Sequence, residues 1–81
     1  MKHQPIYNRL RRIEGQIRGI EEMLDKDRAD EDVLIQLEAA RSSLSSTVSS
    51  FLDSMFRRND AGEAVLTDRE VRAILRAIRK N

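Results

Sequence analysis

Asn8-Arg9-Leu10-Arg11-Arg12-Ile13-Glu14-Gly15-Gln16-Ile17-Arg18-Gly19-Ile20 is the stretch that decides how this chain folds. Wound at about 100° per residue, Ile6, Leu10, Ile13, Ile17, Ile20 and Leu24 fall in one narrow sector of a helix. Arg9 and Arg12 flank that sector on one side, Arg11 and Arg18 on the other. Gly15 and Gly19 lie on the face turned away from it. Core packing accounts for the aliphatic stripe. It does not account for two helix-interior glycines, each costing roughly 1 kcal/mol relative to alanine. Guanidinium groups around a bare backbone predict close approach by an anionic partner, and a nucleic-acid phosphate backbone is the natural candidate.

Working outward, Pro5 fits the first turn of this helix, where a missing N–H costs nothing, and the periodic pattern predicts helix 1 over about 5–26. Asp27-Arg28-Ala29-Asp30 reads as a short polar connection with Asp30 as N-cap, and Glu31 and Asp32 then fall in the next first turn, where the helix dipole favours negative charge. Helix 2 is expected over about 31–58. Leu34, Leu37, Leu44, Val48, Phe51 and Met55 form its main stripe, Arg41 fills the missing slot, and Val33, Ala40 and Thr47 widen the apolar face. Asn59-Asp60-Ala61-Gly62 breaks the pattern with turn formers. Thr67-Asp68-Arg69-Glu70 is a capping box opening helix 3, about 68–79, with Val71, Ile74, Leu75 and Ile78 on one face and Arg69, Arg72, Arg76, Arg79 and Lys80 around the rest. No strand pattern or internal repeat interrupts this, so the fold class is all-α, a three-helix protomer forming a single helical DNA-binding domain over 1–81.

Two long helices and a short one cannot enclose a core at this size. An antiparallel hairpin leaves one flank of its apolar seam in water, and burying that flank at about 25 cal/mol per Å² favours pairing with a second copy. The expected assembly is a symmetric dimer forming a four-helix bundle, with helix 3 capping it or joining dimers. Ser42, Ser43, Ser45, Ser46, Ser49 and Ser50 are read in two ways, half as small residues that let helices approach and half as a polar outer face.

Composition removes several function classes. The 81 residues carry a net charge of +1, but residues 1–20 sum to +4 and residues 21–40 to −6, so a basic helix begins beside an acidic turn. There is no cysteine, which excludes disulfides, thiolate metal sites and thiol chemistry. With 36% charged residues and no apolar run near the roughly 20 residues of a membrane span, a cytoplasmic protein without a membrane partner is expected. No nucleophile–base pair, metal motif or phosphate loop is present, so the chain is not expected to be an enzyme, and no cofactor is expected.

The helix 1 stretch, with Met23-Leu24 and with Asp32-Val33-Leu34, Gln36-Leu37, Ala39, Arg41 and Leu44, resembles the CsoR/RcnR family of bacterial metal- and formaldehyde-responsive repressors. The resemblance covers roughly residues 5–58. It implies an antiparallel four-helix-bundle dimer and a disc-shaped dimer-of-dimers tetramer that binds double-stranded operator DNA without a helix-turn-helix. Carried over by position, the DNA-facing candidates are Arg9, Arg11, Arg12 and Arg18 on helix 1 and Arg41 on helix 2. For Arg41 a structural role beside a carboxylate partner stays open, because an unpaired guanidinium inside a bundle would be prohibitive.

The same resemblance implies a sensing site made from a cysteine at the start of helix 2 and a histidine and cysteine near its end. The matching positions are Asp30, Met55 and Asn59, with Ala29 at the position before the first. A carboxylate, a thioether and an amide do not make a Cu(I) thiolate site and lack the imidazoles that suit nickel or zinc. The formaldehyde-responsive variant requires the same missing cysteine. His3 lies in a segment expected to fray. Asp25, Asp27, Asp30 and Glu31 are explained by helix capping and solvation more cheaply than by an oxygen-ligand ion site. A DNA-binding repressor without the usual metal site is therefore the reading, and a helical adaptor oligomer without DNA binding is its rival.

Overall fold

In the computed structural model the described residues are 2–60 and 66–80, without the side chains of Asn59, Asp60 and Lys80. Three helices make up the fold: α1 (Gln4–Asp25), α2 (Asp30–Asp60) and α3 (Asp68–Lys80), with no strand among the described residues. The chain divides into two compact units, Met1–Thr47 and Val48–Asn81.

In the first unit α1 opens with Pro5 in its first turn, as its missing N–H requires. Its C-terminus closes by a backbone motif invisible in the polar character of the connection. The Arg28 amide donates to the Met23 carbonyl (3.0 Å) and the Asp27 amide to the Leu24 carbonyl (3.1 Å), with Asp27 at φ 52°. That is a Schellman ending, with aspartate where glycine is usual. The first turn of α2 follows directly. The Ala29 carbonyl accepts from the amides of Asp32 (3.0 Å) and Val33 (3.1 Å), so Ala29 rather than Asp30 is the capping residue. Asp30 is instead the first helical residue, placed with Glu31 and Asp32 at the positive end of the helix dipole.

The core of this unit corrects the expected hierarchy of stripes on α2. Val33, Ala40 and Thr47, expected only to widen the face, are the buried series, whereas Leu34, Leu37, Leu44 and Val48 of the expected main stripe are exposed. On α1 the stripe divides likewise: Ile13 and Ile20 are buried and Ile6 partly so, while Leu10, Ile17 and Leu24 are exposed. The contrast is sharp even between close neighbours, 5% against 60% for Ile20 and Leu24, and 6% against 59% for Val33 and Leu34. Ile20 packs with Val33 and Ala40 under Met23. Two turns earlier on α1, Ile13 shares a cleft with Thr47. As α1 recedes by seven residues α2 advances by seven, the register of an antiparallel hairpin. The small residues of α2 form its inner seam because they let two backbones approach. Thr47 is buried without penalty, since its hydroxyl donates to the Ser43 carbonyl at 2.8 Å.

In the second unit α2 runs two residues past the expected end, through Asn59 and Asp60, so those two turn formers do not stop it. Ala61 and Gly62 lie outside the described residues. Arg57 and Arg58 occupy its last turn, favoured by the dipole. Arg57 pairs with Asp53 at 2.9 Å, and Arg58 donates to the Ser54 hydroxyl at 2.7 Å with its guanidinium over the Phe51 ring. The capping box forms as read. The Glu70 amide donates to Thr67 Oγ1 (3.1 Å), and Glu70 Oε1 reaches back to the Thr67 amide (3.3 Å). On α3, Ile74 is buried while Val71, Leu75 and Ile78 remain exposed.

Candidate nucleic-acid interface

The polar circumference of α1 carries the candidate site, and the buried seam fixes its orientation. With Ile13 and Ile20 turned into the hairpin, Gly15 and Gly19 face solvent. A Cβ added at either would meet nothing within 4 Å. Among the described residues, then, no side chain demands glycine at those positions.

The arginines around this bare strip divide into two environments. Arg11 is exposed, with its guanidinium 5.6 Å from the Tyr7 ring centroid and Nη1 donating to the Tyr7 hydroxyl at 3.2 Å. Such an exposed contact is worth about 0.5–1 kcal/mol and holds the side chain in place without neutralising it. Arg18 is exposed on the same side. Across the glycine strip, Arg9 and Arg12 converge on a cleft of about 340 Å³ lined also by Ile13, Gln16, Ser43, Ser46 and Thr47. Among the described residues no carboxylate pairs with Arg9, Arg12 or Arg18. Uncompensated guanidinium groups of this kind leave a local positive field on this face.

Arg41 stands apart. Its side chain is 78% exposed and pairs with Glu38 at 2.6 Å, one turn away on α2. The guanidinium has the carboxylate partner that the structural reading required, but the slot does not carry it into the interior as its place in the stripe implied. An exposed pair of this type holds its partners by less than about 1 kcal/mol, so it does not withhold Arg41 from a stronger anion.

Sequence reasoning missed Gln16, Ser43, Ser46 and Thr47 as neighbours of Arg9 and Arg12. The spacing held a signal. Arg9, Arg12 and Gln16 recur along one edge of α1, and Ser43 with Ser46 or Thr47 along one edge of α2. Only the register of the hairpin shows that the two edges meet. Of the serines, Ser43 and Ser50 are half-buried, while Ser42, Ser45, Ser46 and Ser49 are exposed, so the polar outer face accounts for more of the stretch than the even division expected; Ser46, though exposed, also lines the cleft.

Among the described residues no group of three or more histidine, cysteine, aspartate or glutamate side chains is placed to hold a metal ion, and no helix is long and apolar enough to cross a membrane.

The chain is a helical hairpin followed by a third helix, and it belongs to the metal-sensitive transcriptional repressors, whose family pattern matches residues 2–80. Among individual proteins it is 49% identical over 39 residues to the copper-sensing transcriptional repressor CsoR of Bacillus subtilis (strain 168), a match covering 48% of this chain and 39% of that protein. It is also 49% identical over 45 residues to the copper-sensing transcriptional repressor RicR of Mycobacterium tuberculosis (strain ATCC 25618 / H37Rv), covering 56% and 47%. The chain thus spans less than half the length of the curated relatives it matches. Both are named as transcriptional repressors rather than as enzymes. No solved structure matches.

Proposed function

We propose that this chain is a cytoplasmic repressor that grips double-stranded operator DNA with the arginine face of α1, as part of a homo-oligomer built from four-helix-bundle dimers that pair into a tetramer. The observation that carries this is the open strip at Gly15 and Gly19, set between the unpaired Arg9 and Arg12 on one side and Arg11 and Arg18 on the other. The glycines let a phosphate backbone approach, the guanidinium groups neutralise it, and Arg41 adds a contact from α2. Sequence preference then comes from a few base contacts and from groove shape.

The relatives' names include copper sensing, and the donor set of this chain does not fit that chemistry. Asp30, Met55 and Asn59 stand where the family resemblance places thiolate and imidazole ligands, and the sequence holds no cysteine. Repression is therefore proposed to be indifferent to Cu(I), nickel and zinc, and to answer to another signal or to none.

Titration of labelled upstream DNA at increasing salt tests the proposal. A tetramer neutralising six to ten phosphates loses on the order of 10³-fold in affinity or more between 50 and 200 mM salt, whereas an adaptor without DNA binding shows no such dependence. Arg12→Ala and Arg18→Ala should each weaken binding and flatten the salt slope by about 1 for every phosphate left without its guanidinium, with the helical signal intact. Gly15→Leu should raise helix propensity by about 1 kcal/mol yet weaken DNA binding. Wild-type affinity in all three variants would place the interface elsewhere.

A further inference from the structure

The cleft between α1 and α2 in the first unit holds more than a backbone phosphate contact needs. Its volume, about 340 Å³, lies at the lower end of the range of roughly 300–1,000 Å³ typical of small-molecule sites. Its lining is one-sided in chemistry. Arg9 and Arg12 bring two guanidinium groups with no carboxylate partner, and Gln16, Ser43 and Ser46 add amide and hydroxyl donors, while no acidic side chain lines it. Thr47 is not available as a donor, because its hydroxyl is committed to the Ser43 carbonyl. Ile13 supplies a buried apolar floor. A donor-rich wall over an apolar floor matches a small organic molecule carrying two or more phosphate or carboxylate groups on a short body.

We infer that this cleft is an effector site for a small organic polyanion, which competes with DNA for Arg9 and Arg12. The inference rests on the repressor reading above and names a signal for it that needs no metal ligand. Competition follows from chemistry, since one pair of guanidinium groups cannot neutralise an operator phosphate and a bound polyanion together. By linkage the ligand lowers DNA affinity by the same factor as DNA lowers ligand affinity.

The experiment uses the full chain with pyrophosphate and citrate as probes and potassium chloride at matched ionic strength as the control. Arginine Nε–Hε resonances report the site, and DNA anisotropy reports the linkage. Arg9 and Arg12 should shift saturably with at least one probe, while Arg11 and Arg18 move only as they do in potassium chloride. The saturating probe should weaken DNA binding by about tenfold beyond the salt control, within the usual range of coupling. Ser46→Leu, which fills the cleft, should abolish the saturation. Ser46→Ala, which leaves space and removes one donor, should weaken it severalfold with the helical signal unchanged. Linear shifts shared by all four arginines, or undiminished saturation in Ser46→Leu, would overturn the inference. The two readings separate cleanly. DNA binding with a steep salt slope but no saturable site removes the effector and leaves the repressor, whereas a saturable site without DNA binding removes the repressor and its competition while leaving a polyanion site.

Discussion

Two apolar seams run along the hairpin of the first unit, one turn apart on each helix, and they meet opposite fates. The inner seam joins Ile13 and Ile20 of α1 to Val33, Ala40 and Thr47 of α2 and is buried by the chain itself. The outer seam, Leu10, Ile17 and Leu24 with Leu37 and Leu44, has equal or greater hydrophobicity and is left exposed by the single chain. Bulk separates them. On α2 the inner seam is made of small or β-branched residues that let backbones close together, while the outer seam carries leucines that need a further surface to fill. Hydrophobic strength therefore does not decide which stripe a chain buries first. Close approach does, and the greasier stripe is the one that the proposed homo-oligomer would cover.

The largest effect should come from breaking the outer seam. Leu44→Glu places a charge where the proposed dimer would need an apolar contact, and symmetry would repeat the fault on the opposite chain. Self-association is expected to weaken by more than about 100-fold, equivalent to about 2.7 kcal/mol, the scale of one fully buried leucine. Sedimentation across a concentration series measures this. Unchanged assembly would mean that the outer seam is not the contact between copies.

Overfilling the inner seam gives a different signature. Ala40→Leu should cost about 1–3 kcal/mol, because the helix backbones must separate to admit the larger side chain. Unlike the loss in Leu44→Glu, this one arises within the chain, so its intrinsic part does not vanish at high protein concentration. Denaturant midpoints at two concentrations for both variants read the distinction directly. If the two respond alike to concentration, the division into inner and outer seams fails.

The sequence carried most of the fold. Periodicity at Ile6 to Leu24 predicted α1, and the capping box at Thr67 and Glu70 marked the start of α3 at Asp68. The solvent-facing glycine strip was also visible in projection. Periodicity was blind to the division of seams, because residues three and four apart repeat equally well on both, and only interhelical distance separates them. Asn59 and Asp60 misled for a related reason: turn propensity is a weak local term, and the helix continues through them. Half of the cleft was hidden too, since Gln16, Ser43 and Ser46 become neighbours of Arg9 and Arg12 only through the hairpin register.

That register is set at the turn, where the smallest effect is expected. Asp27 sits at φ 52°, a conformation that costs most L-residues about 1–2 kcal/mol and aspartate somewhat less. It also places a negative charge just beyond the C-terminal end of α1, where the dipole disfavours one. Asp27→Gly relieves both, against the greater freedom glycine gives the unfolded chain, for a net gain of about 0.5 kcal/mol. Asp27→Asn separates the causes, because it removes the charge and keeps a side chain at the strained position. Stabilisation by glycine alone assigns the cost to the backbone, and equal stabilisation by both assigns it to the charge. Either gain should appear undiminished in Leu44→Glu, since the turn belongs to the inner hairpin and owes nothing to the outer seam. Loss of the gain in that background would show that the hairpin closes only when copies associate, and the inner seam would no longer count as the chain's own.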